Sequence, residues 1–301
     1  MTGSELDRPA RPPAVRKIST ARRAKNWLAT ALVTLAFGCA VVPLVWVLGT
    51  VIARGWRAVI GSGWWSESLS GVLPEEMRGG VYHAIYGTLV QVLVCSVIAV
   101  PLGVLAAIYL VEYGRGHFAR VTTFMVDILS GVPSIVAALF VFALWIATLG
   151  FQQSAFAVSL ALVLLMLPIV VRSTEEMLRL VPQALREAAY ALGVPRWKTI
   201  VRIVLRTAFP GIITGVMLAL ARVMGETAPV LVLVGYNQSI NYDILNGNMT
   251  SLPLLIYNQF TNPTEAGQLR IWGAALTLII LIVILNLVAA VISRFSAVKA
   301  K

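Results

Sequence analysis

Residues 128–171 read ILSGVPSIVAALFVFALWIATLGFQQSAFAVSLALVLLMLPIVV, a run of 44 residues without a charged side chain. As one α-helix this run would be about 66 Å long, well beyond the ~30 Å hydrocarbon core of a bilayer. The polar segment Gly150-Phe151-Gln152-Gln153-Ser154 interrupts it and is the natural turn. The run therefore predicts two membrane-spanning helices, one over residues 122–148 and one over 155–171.

The composition of the whole chain fits a protein whose solvent is mostly lipid. Of its 301 residues, 58% are hydrophobic and only 12% are charged, whereas about a quarter of the residues in soluble domains are charged. The net charge of +11 could indicate nucleic acid, but the basic residues lie between apolar runs and form no single patch. Cys39 and Cys95 both lie in apolar stretches, so we expect neither a disulfide framework nor a metal site.

Outward from residues 128–171, the same apolar pattern recurs on both sides. Four further segments are apolar enough to span a membrane: 27–53, 85–110, 208–235 and 271–293. The polar residues 1–26 are expected to be a flexible cytoplasmic tail, and residues 294–301 a short cytoplasmic tail. Residues 54–84 and 236–270 are expected to be loops. The predicted fold class is an all-α, polytopic membrane protein with six transmembrane helices.

The Lys and Arg residues between the spans predict the topology, because cytoplasmic loops carry most of them. The N-terminal tail, the 111–121 turn, the 172–206 segment and the C-terminal tail carry 7, 2, 7 and 3, which makes 19. The alternate loops carry 3, 0 and 1, which makes 4. Six spans with both termini in the cytoplasm satisfy this asymmetry.

The cytoplasmic segment 172–206 contains a short amphipathic helix. Ser173 and Glu176 resemble a capping box, Pro182 suits the first turn of a new helix, and Gly193 suits its end. One face of this helix is small or apolar, made of Ala184, Leu185, Ala188, Ala189 and Leu192. At roughly 16 Å the helix is too short to cross a bilayer. It either rests on the lipid surface or docks in a groove of a partner protein.

A family signature favours docking. Glu187-Ala188-Ala189, then Gly193 after three residues and Ile203-Val204-Leu205 after nine more, resemble the EAA loop of ABC importer permeases, E-A-A-x3-G-x9-I-x-L-P. The match departs at Arg206, where proline is usual. In that family the loop forms a coupling helix in a cleft of the ATPase subunit. The resemblance implies that a coupling helix within 182–205 uses Glu187, Ala188, Ala189 and Gly193.

Two charges, Arg222 and Glu226, interrupt the fifth span. An ionised side chain at that depth costs about 3 kcal/mol or more, so it usually faces a protein interior or a water-filled path. Their i, i+4 spacing predicts a pair on one helical face. The pair either locks helix packing or belongs to an anion pathway, in which the glutamate prevents the arginine from holding the solute too tightly. Arg172 is either a cytoplasmic anchor or a second basic stop on that pathway.

The other ionisable residues point to no chemistry of their own. Asp127 is expected to be a helix-end or packing residue, and His83 and His117 to have interface or loop roles. No nucleophile–base pair or metal-ligand cluster is evident in the spans, which argues against an intramembrane enzyme. The sequence has no G-x4-G-K-[ST] motif, so energy must come from a partner.

Three segments narrow the resemblance. They are SGVPSIV at 130–136, LPIVVRSTE at 167–175 and ARVMGETAP at 221–229. They resemble the PstA permeases of phosphate-specific ABC importers, and the resemblance extends over residues 82–293. It implies a permease domain of the type I ABC importer (MetI-like) fold. Because the arginines and the glutamate at these positions are regarded as transport residues in that family, it also implies phosphate-pathway roles for Arg172, Arg222 and Glu226.

The resemblance also implies a function and its partners. Such a chain sits in the bacterial cytoplasmic membrane and imports inorganic phosphate together with a second permease of the PstC type, two PstB-type ATPases and a PstS-type binding protein. The binding protein is expected to dock outside, on residues 236–270. No cofactor is expected on this chain, since the ATPases use the ATP. Another oxyanion, such as sulfate or molybdate, is the alternative cargo. Only the family resemblance disfavours it, since the residues by themselves do not distinguish these anions from phosphate.

Overall fold

The computed structural model describes residues 19–296, none of which lies in a β-strand. The helices are α1 (Thr20–Val59), α2 (Tyr82–Ile108), α3 (Gly116–Gly131), α4 (Ser134–Val141), α5 (Ala155–Arg179), α6 (Gln183–Ala191), α7 (Arg196–Thr199), α8 (Leu205–Met224), α9 (Ala228–Leu233), α10 (Leu252–Gln259) and α11 (Glu265–Ser296). Short π-helical segments follow α2, α4 and α7, at Tyr109–Tyr113, Phe142–Thr148 and Ile200–Val204. The chain divides into two units, Met1–Thr50 and Val51–Lys301.

The predicted tails fall largely outside the described residues. Residues 1–18 and 297–301, which make up most of both, are not described. The described remainder is helical, because α1 begins at Thr20 and α11 runs to Ser296. The flexible-tail prediction for residues 20–26 is therefore wrong.

Five helical segments in the described part are long and apolar enough to cross a membrane. They are Thr20–Val59, Tyr82–Tyr113, Ala155–Arg179, Arg196–Met224 and Glu265–Phe295. The remaining predicted span, over 122–148, is the third along the chain. It is a pair of helices, Gly116–Gly131 and Ser134–Thr148, bent by 108°. The all-helical, polytopic prediction is confirmed, but the third span is not straight.

The bend between α3 and α4 has a local cause. Pro133 disfavours a helical conformation in the residue before it, and Val132 accordingly has φ −71° and ψ 124°. Pro133 also lacks the N–H that would continue the hydrogen bonding of α3. The SGVPSIV segment therefore forms a corner instead of the middle of a span.

α5 is the centre of the second unit, since α2, α3, α4, α8 and α9 all pack against it. Two of these contacts depend on glycine. A Cβ on Gly103 of α2 would lie 2.7 Å from Cγ1 of Val170, and a Cβ on Gly215 of α8 would lie 2.5 Å from Cβ of Ser173. Small residues permit this close approach of membrane helices, which brings the charged end of α8 next to α5.

α5 and α8 end at positions that the sequence did not predict. α5 continues to Arg179, so Ser173 lies inside it and caps no new helix. The capping-box prediction is wrong, because Arg172, Glu175 and Arg179 form ion pairs along one face at i, i+3 and i, i+4 spacing and these favour helix. α8 ends at Met224 with Gly225 after it, well before residue 235.

The predicted outer loops are held by specific contacts. The guanidinium of Arg270 donates to the carbonyl oxygens of a neighbouring turn, those of Leu73, Pro74, Glu76 and Arg78. α10 lies within the second predicted loop. His83 is 2% exposed in the first turn of α2, so it does not lie in a loop, and its position at the membrane interface stays a prediction. His117 is exposed at the start of α3.

Candidate functional site

A single cavity of about 230 Å³ draws residues from all three segments that carry the resemblance. We call it the arginine cavity, and it is lined by Leu129, Ser130, Val132, Leu165, Pro168, Ile169, Arg172 and Arg222. α3 and its corner supply three of these residues, α5 supplies four, and the last turn of α8 supplies Arg222. Two of the three predicted pathway residues, Arg172 and Arg222, thus share one space.

Arg172 is held by carboxylates on two helices. Its Nη2 donates to Oδ1 of Asp127 on α3, and its Nη1 donates to Oε2 of Glu175 at 2.9 Å. Oε1 of Glu175 accepts from Nη2 of Arg179 at 2.5 Å. Asp127 is therefore an ion-pair partner that fastens α3 to α5, a more specific role than the predicted packing.

Arg222 stands apart from Glu226. α8 ends at Met224 and Gly225 follows it, so Glu226 lies past the helix end and does not line the arginine cavity. No ion pair joins the two residues in the described part of the chain. The predicted i, i+4 pair is wrong, because that spacing brings side chains together only while the helix continues.

The charges around the arginine cavity are paired unevenly. Asp127 and Glu175 both contact Arg172, while Arg222 is exposed and pairs with no carboxylate among residues 19–296. The rest of the lining is apolar except for Ser130, whose hydroxyl donates to the carbonyl of Val126 at 2.8 Å. The volume exceeds the ~30 Å³ share of one water several-fold. The cavity therefore has room for a small anion, and two arginines line it, whose guanidinium groups suit oxyanions by their parallel N–H donors.

The predicted coupling segment begins with α6, which is short and mostly exposed. Glu187, Ala188 and the predicted apolar face residue Leu185 are exposed. Ala189 is 4% exposed and faces the chain itself, so its position differs from the predicted docking face. The face open to a partner consists of Ala184, Leu185, Ala188 and Leu192.

Gly193 ends α6 in the way the sequence predicts. Its φ is +75°, a left-handed conformation that glycine adopts without a Cβ clash. The amide of Gly193 donates to the carbonyl of Tyr190 at 2.9 Å, and the amide of Val194 donates to that of Ala189 at 3.0 Å. This pair of bonds is the Schellman motif, and it turns the chain sharply towards α7.

Sequence reasoning missed a buried ion pair beside this segment. Arg186 of α6 and Glu112, at the end of the span that contains α2, are both buried and hydrogen-bonded to each other. The two lie 74 residues apart, so no local pattern links them. The only signal was that Arg186 precedes Ala189 by three residues, which puts both on the inward face of the helix.

Comparison with known proteins identifies the chain. Residues 99–298 match the family described as the binding-protein-dependent transport system inner membrane component. Over 299 residues the chain is 66% identical to the phosphate transport system permease protein PstA 1 of Mycobacterium tuberculosis (strain ATCC 25618 / H37Rv), a match that covers 99% of this chain and 97% of that protein. The chain belongs to the PstA family of phosphate transport permeases. The similarity extends to the PstA of Mycobacterium leprae, at 67% identity over 98% and 96% of the two chains.

More distant members of the PstA family and solved structures agree with this placement. The PstA of Pasteurella multocida (strain Pm70) is 38% identical over 89% of this chain and 94% of its own. A MetNI methionine ABC transporter, captured inward-facing, matches with a TM-score of 0.56 and 19% identity over 73% of this chain and 95% of that one. A bacterial alginate ABC transporter matches with a TM-score of 0.63 and 15% identity, covering 90% and 95%. At such identities the structures show the fold alone, which is the predicted MetI-like importer permease fold.

Membership of the PstA family has direct consequences. The chain is a multi-pass protein of the inner membrane and a transport component, not an enzyme. Like other permeases of ABC importers, it works with further ABC components.

Proposed function

We propose that this chain forms half of a path that imports inorganic phosphate, with Arg172, Arg222 and Glu226 along it. The observation that carries the proposal is the arginine cavity, where guanidinium groups from α5 and α8 line one space. PstA relatives are phosphate transport permeases by name, which supports phosphate as the cargo over sulfate or molybdate.

The chemistry of the cavity suits transient binding of an oxyanion. Each guanidinium offers charged hydrogen bonds to phosphate oxygens. Asp127 and Glu175 compete with the anion for Arg172, and this competition limits how tightly the anion is held. A transport site needs such a limit, because the solute must leave as well as arrive.

Glu226 has a weaker structural basis in this proposal than the arginines. It lies half-buried at the break between α8 and α9, outside the arginine cavity. We keep it as a pathway residue through the family resemblance. Its role would be to meet the anion on another part of the path, away from Arg222.

The proposal includes the partners and the orientation. A PstC-type permease completes the path, two PstB-type ATPases use ATP and dock on residues 182–205, and a PstS-type protein delivers phosphate to the outer loops. The exposed face of α6 supports the ATPase contact. The 19 Lys and Arg residues assigned to the cytoplasmic side support cytoplasmic termini. Closure of the ATPases then tips packed helices as rigid bodies, and this chain binds no cofactor.

Arg222→Gln tests the proposal in proteoliposomes that contain the full complex. We expect uptake of radioactive phosphate to fall by about 10- to 100-fold, because a hydrogen bond to a charged group contributes about 1.5–3 kcal/mol. The complex should still assemble, since Arg222 is exposed and holds no partner in the described chain. Arg294→Gln is the matched control, because Arg294 is an exposed arginine in the last turn of α11, outside the arginine cavity and the proposed docking segment.

Two results would contradict the proposal. Uptake by the Arg222→Gln complex that equals the control would show that Arg222 has no part in transport. Competition by excess sulfate or molybdate as strong as by unlabelled phosphate would show that the cargo is another oxyanion.

A further inference from the structure

Among the ion pairs of residues 19–296, the most buried one joins α6 to the end of the span that contains α2. Nε and Nη2 of Arg186 donate to Oε1 of Glu112 at 3.2 and 3.0 Å. Nη1 donates to the carbonyl of Val181 at 2.7 Å, and Nη2 also donates to that of Leu178 at 2.9 Å. One guanidinium therefore ties together the ends of two membrane helices and the docking helix.

A second arginine, which follows Gly193 in the chain, also binds the end of this span. Arg196, the first residue of α7, donates from Nη2 to the main-chain carbonyl of Glu112. Its guanidinium lies over the ring of Tyr113, 4.8 Å from the centroid. The segments before and after the Schellman turn thus both contact residues 112–113.

α6 has little else to attach it to the rest of the chain. Of its nine residues, only Arg186 and Ala189 are buried. Because Ala189 contributes only a methyl group, the ion pair is the main side-chain connection between the docking helix and the membrane helices. A force applied to the exposed face of α6 can therefore reach the span that contains α2 through Arg186, beside the backbone that joins α6 to α5 and α7.

The span that begins with α2 can carry such a force across the membrane. From Glu112 to Thr88 it covers 24 residues, or about 36 Å of helix. At its far end the hydroxyl of Thr88 accepts from the amide of Leu252 at 2.8 Å, and Nε2 of Gln91 donates to the carbonyl of Met249 at 3.0 Å. Residues 249–252 belong to the outer segment on which we expect the binding protein to dock.

The free-energy cost of burying two charges indicates that this ion pair has a role besides stability. Burying two charges costs several kcal/mol, and an apolar pair of similar volume is often as stable. A buried ion pair does, however, fix one geometry, because the fork of arginine fits a carboxylate in few orientations. A link that must move as one rigid piece needs that property.

We propose that the Glu112–Arg186 ion pair transmits movement of the docking helix to α2, and that both are positioning residues for coupling ATP hydrolysis to transport. This inference rests on the proposed docking of ATPases on α6. When α6 moves, Arg186 carries with it both Glu112 and the end of α5, to which it also donates, so the span and α5 move together. The outer ends of the span, at Thr88 and Gln91, then shift against residues 249–252.

The test is the number of phosphate ions imported per ATP hydrolysed by the reconstituted complex. Glu112→Gln keeps the side-chain shape and removes the charge. We expect the ATPases to co-purify in normal amount and the ratio to fall about tenfold. Arg196→Gln, at an exposed position, should lower the ratio by a smaller factor without endangering the fold. Glu176→Gln is the control, since Glu176 is exposed on α5 and forms no ion pair in the described chain.

Ratios within about twofold of the control in both Glu112→Gln and Arg196→Gln would overturn the inference. So would loss of ATPases from Glu112→Gln with a normal ratio in the complex that remains, because the pair would then only place the helix. If Glu112→Gln does not assemble, Arg196→Gln decides. Leu185→Asp, on the exposed face of α6, tests docking separately: ATPases that still co-purify with it would contradict the docking proposal itself.

Discussion

In the proposed phosphate path, single residues would set the balance between attraction and release in the arginine cavity. An arriving anion would compete with Asp127 and Glu175 for Arg172, but with no described carboxylate for Arg222. We therefore expect Arg222 to supply the attraction, and Arg172 the part that can be tuned. This division follows from charge placement alone, since both side chains carry the same guanidinium.

Asp127→Asn changes this balance without changing shape. With one competitor removed, we expect the KM for phosphate uptake to fall about two- to fivefold, because an exposed ion pair contributes about 0.5–1 kcal/mol. We also expect kcat to fall, because the anion leaves more slowly. The measurement is uptake as a function of phosphate concentration.

Glu176→Gln is the control for this change, since Glu176 is exposed on α5, forms no ion pair among residues 19–296 and lies outside both predicted docking segments. A KM that rises in Asp127→Asn would show that Asp127 holds Arg172 in its binding position and does not compete with the anion.

Among the elements, α6 depends on how it ends. The left-handed conformation at Gly193 turns the chain so that Arg196 reaches Glu112. A β-branched residue in that conformation is strained, whereas asparagine adopts it readily. The glycine therefore matters for the geometry of the turn more than for contact with a partner.

Gly193→Val and Gly193→Asn separate these two roles. We expect the valine variant to lose about 1–2 kcal/mol in the turn, with lower phosphate uptake and fewer co-purified ATPases. The asparagine variant should keep both near normal. Equal losses in the two variants would instead mean that the partner contacts the bare glycine.

Two short helices follow breaks in the helical backbone. α4 follows the corner at Pro133, α9 follows the break at residues 225–227 and has Pro229 in its first turn, and the two helices pack against each other. Irregular backbone at membrane depth is tolerated where it is buried in protein or lines a water-filled space. The breaks therefore fit a path between these helices better than a lipid-facing wall.

For the whole molecule, the distribution of Lys and Arg predicts which face meets the cytoplasm. Cysteine labelling tests this in a Cys39→Ala background, because Cys95 is buried. With a membrane-impermeant maleimide, we expect Tyr242→Cys, 64% exposed, to react in spheroplasts. Trp197→Cys, 58% exposed, should react only after permeabilisation. The reverse pattern would contradict the predicted topology.

The membrane-spanning helices could be predicted because the requirements for a segment in lipid depend only on that segment. Every spanning segment must satisfy its own backbone hydrogen bonds and present apolar side chains, so the spans appear as uncharged runs such as 128–171. Gly193 was predictable for the same reason, since a helix end depends on a few neighbouring residues. The end of α5 was not, because its ion pairs extend the helix past the apolar run.

The sequence by itself determined the membrane class, the number of apolar segments, the short amphipathic helix α6 and the presence of arginines at the ends of the fourth and fifth apolar segments. Only the tertiary structure decided that Arg172 and Arg222 share a cavity, that Glu226 lies outside it, and that Glu112 meets Arg186. The physical reason is that periodicity orients side chains within one helix, whereas helix breaks and close packing at glycines orient the helices themselves. Those contacts join residues far apart in sequence, and no spacing within a single segment encodes them.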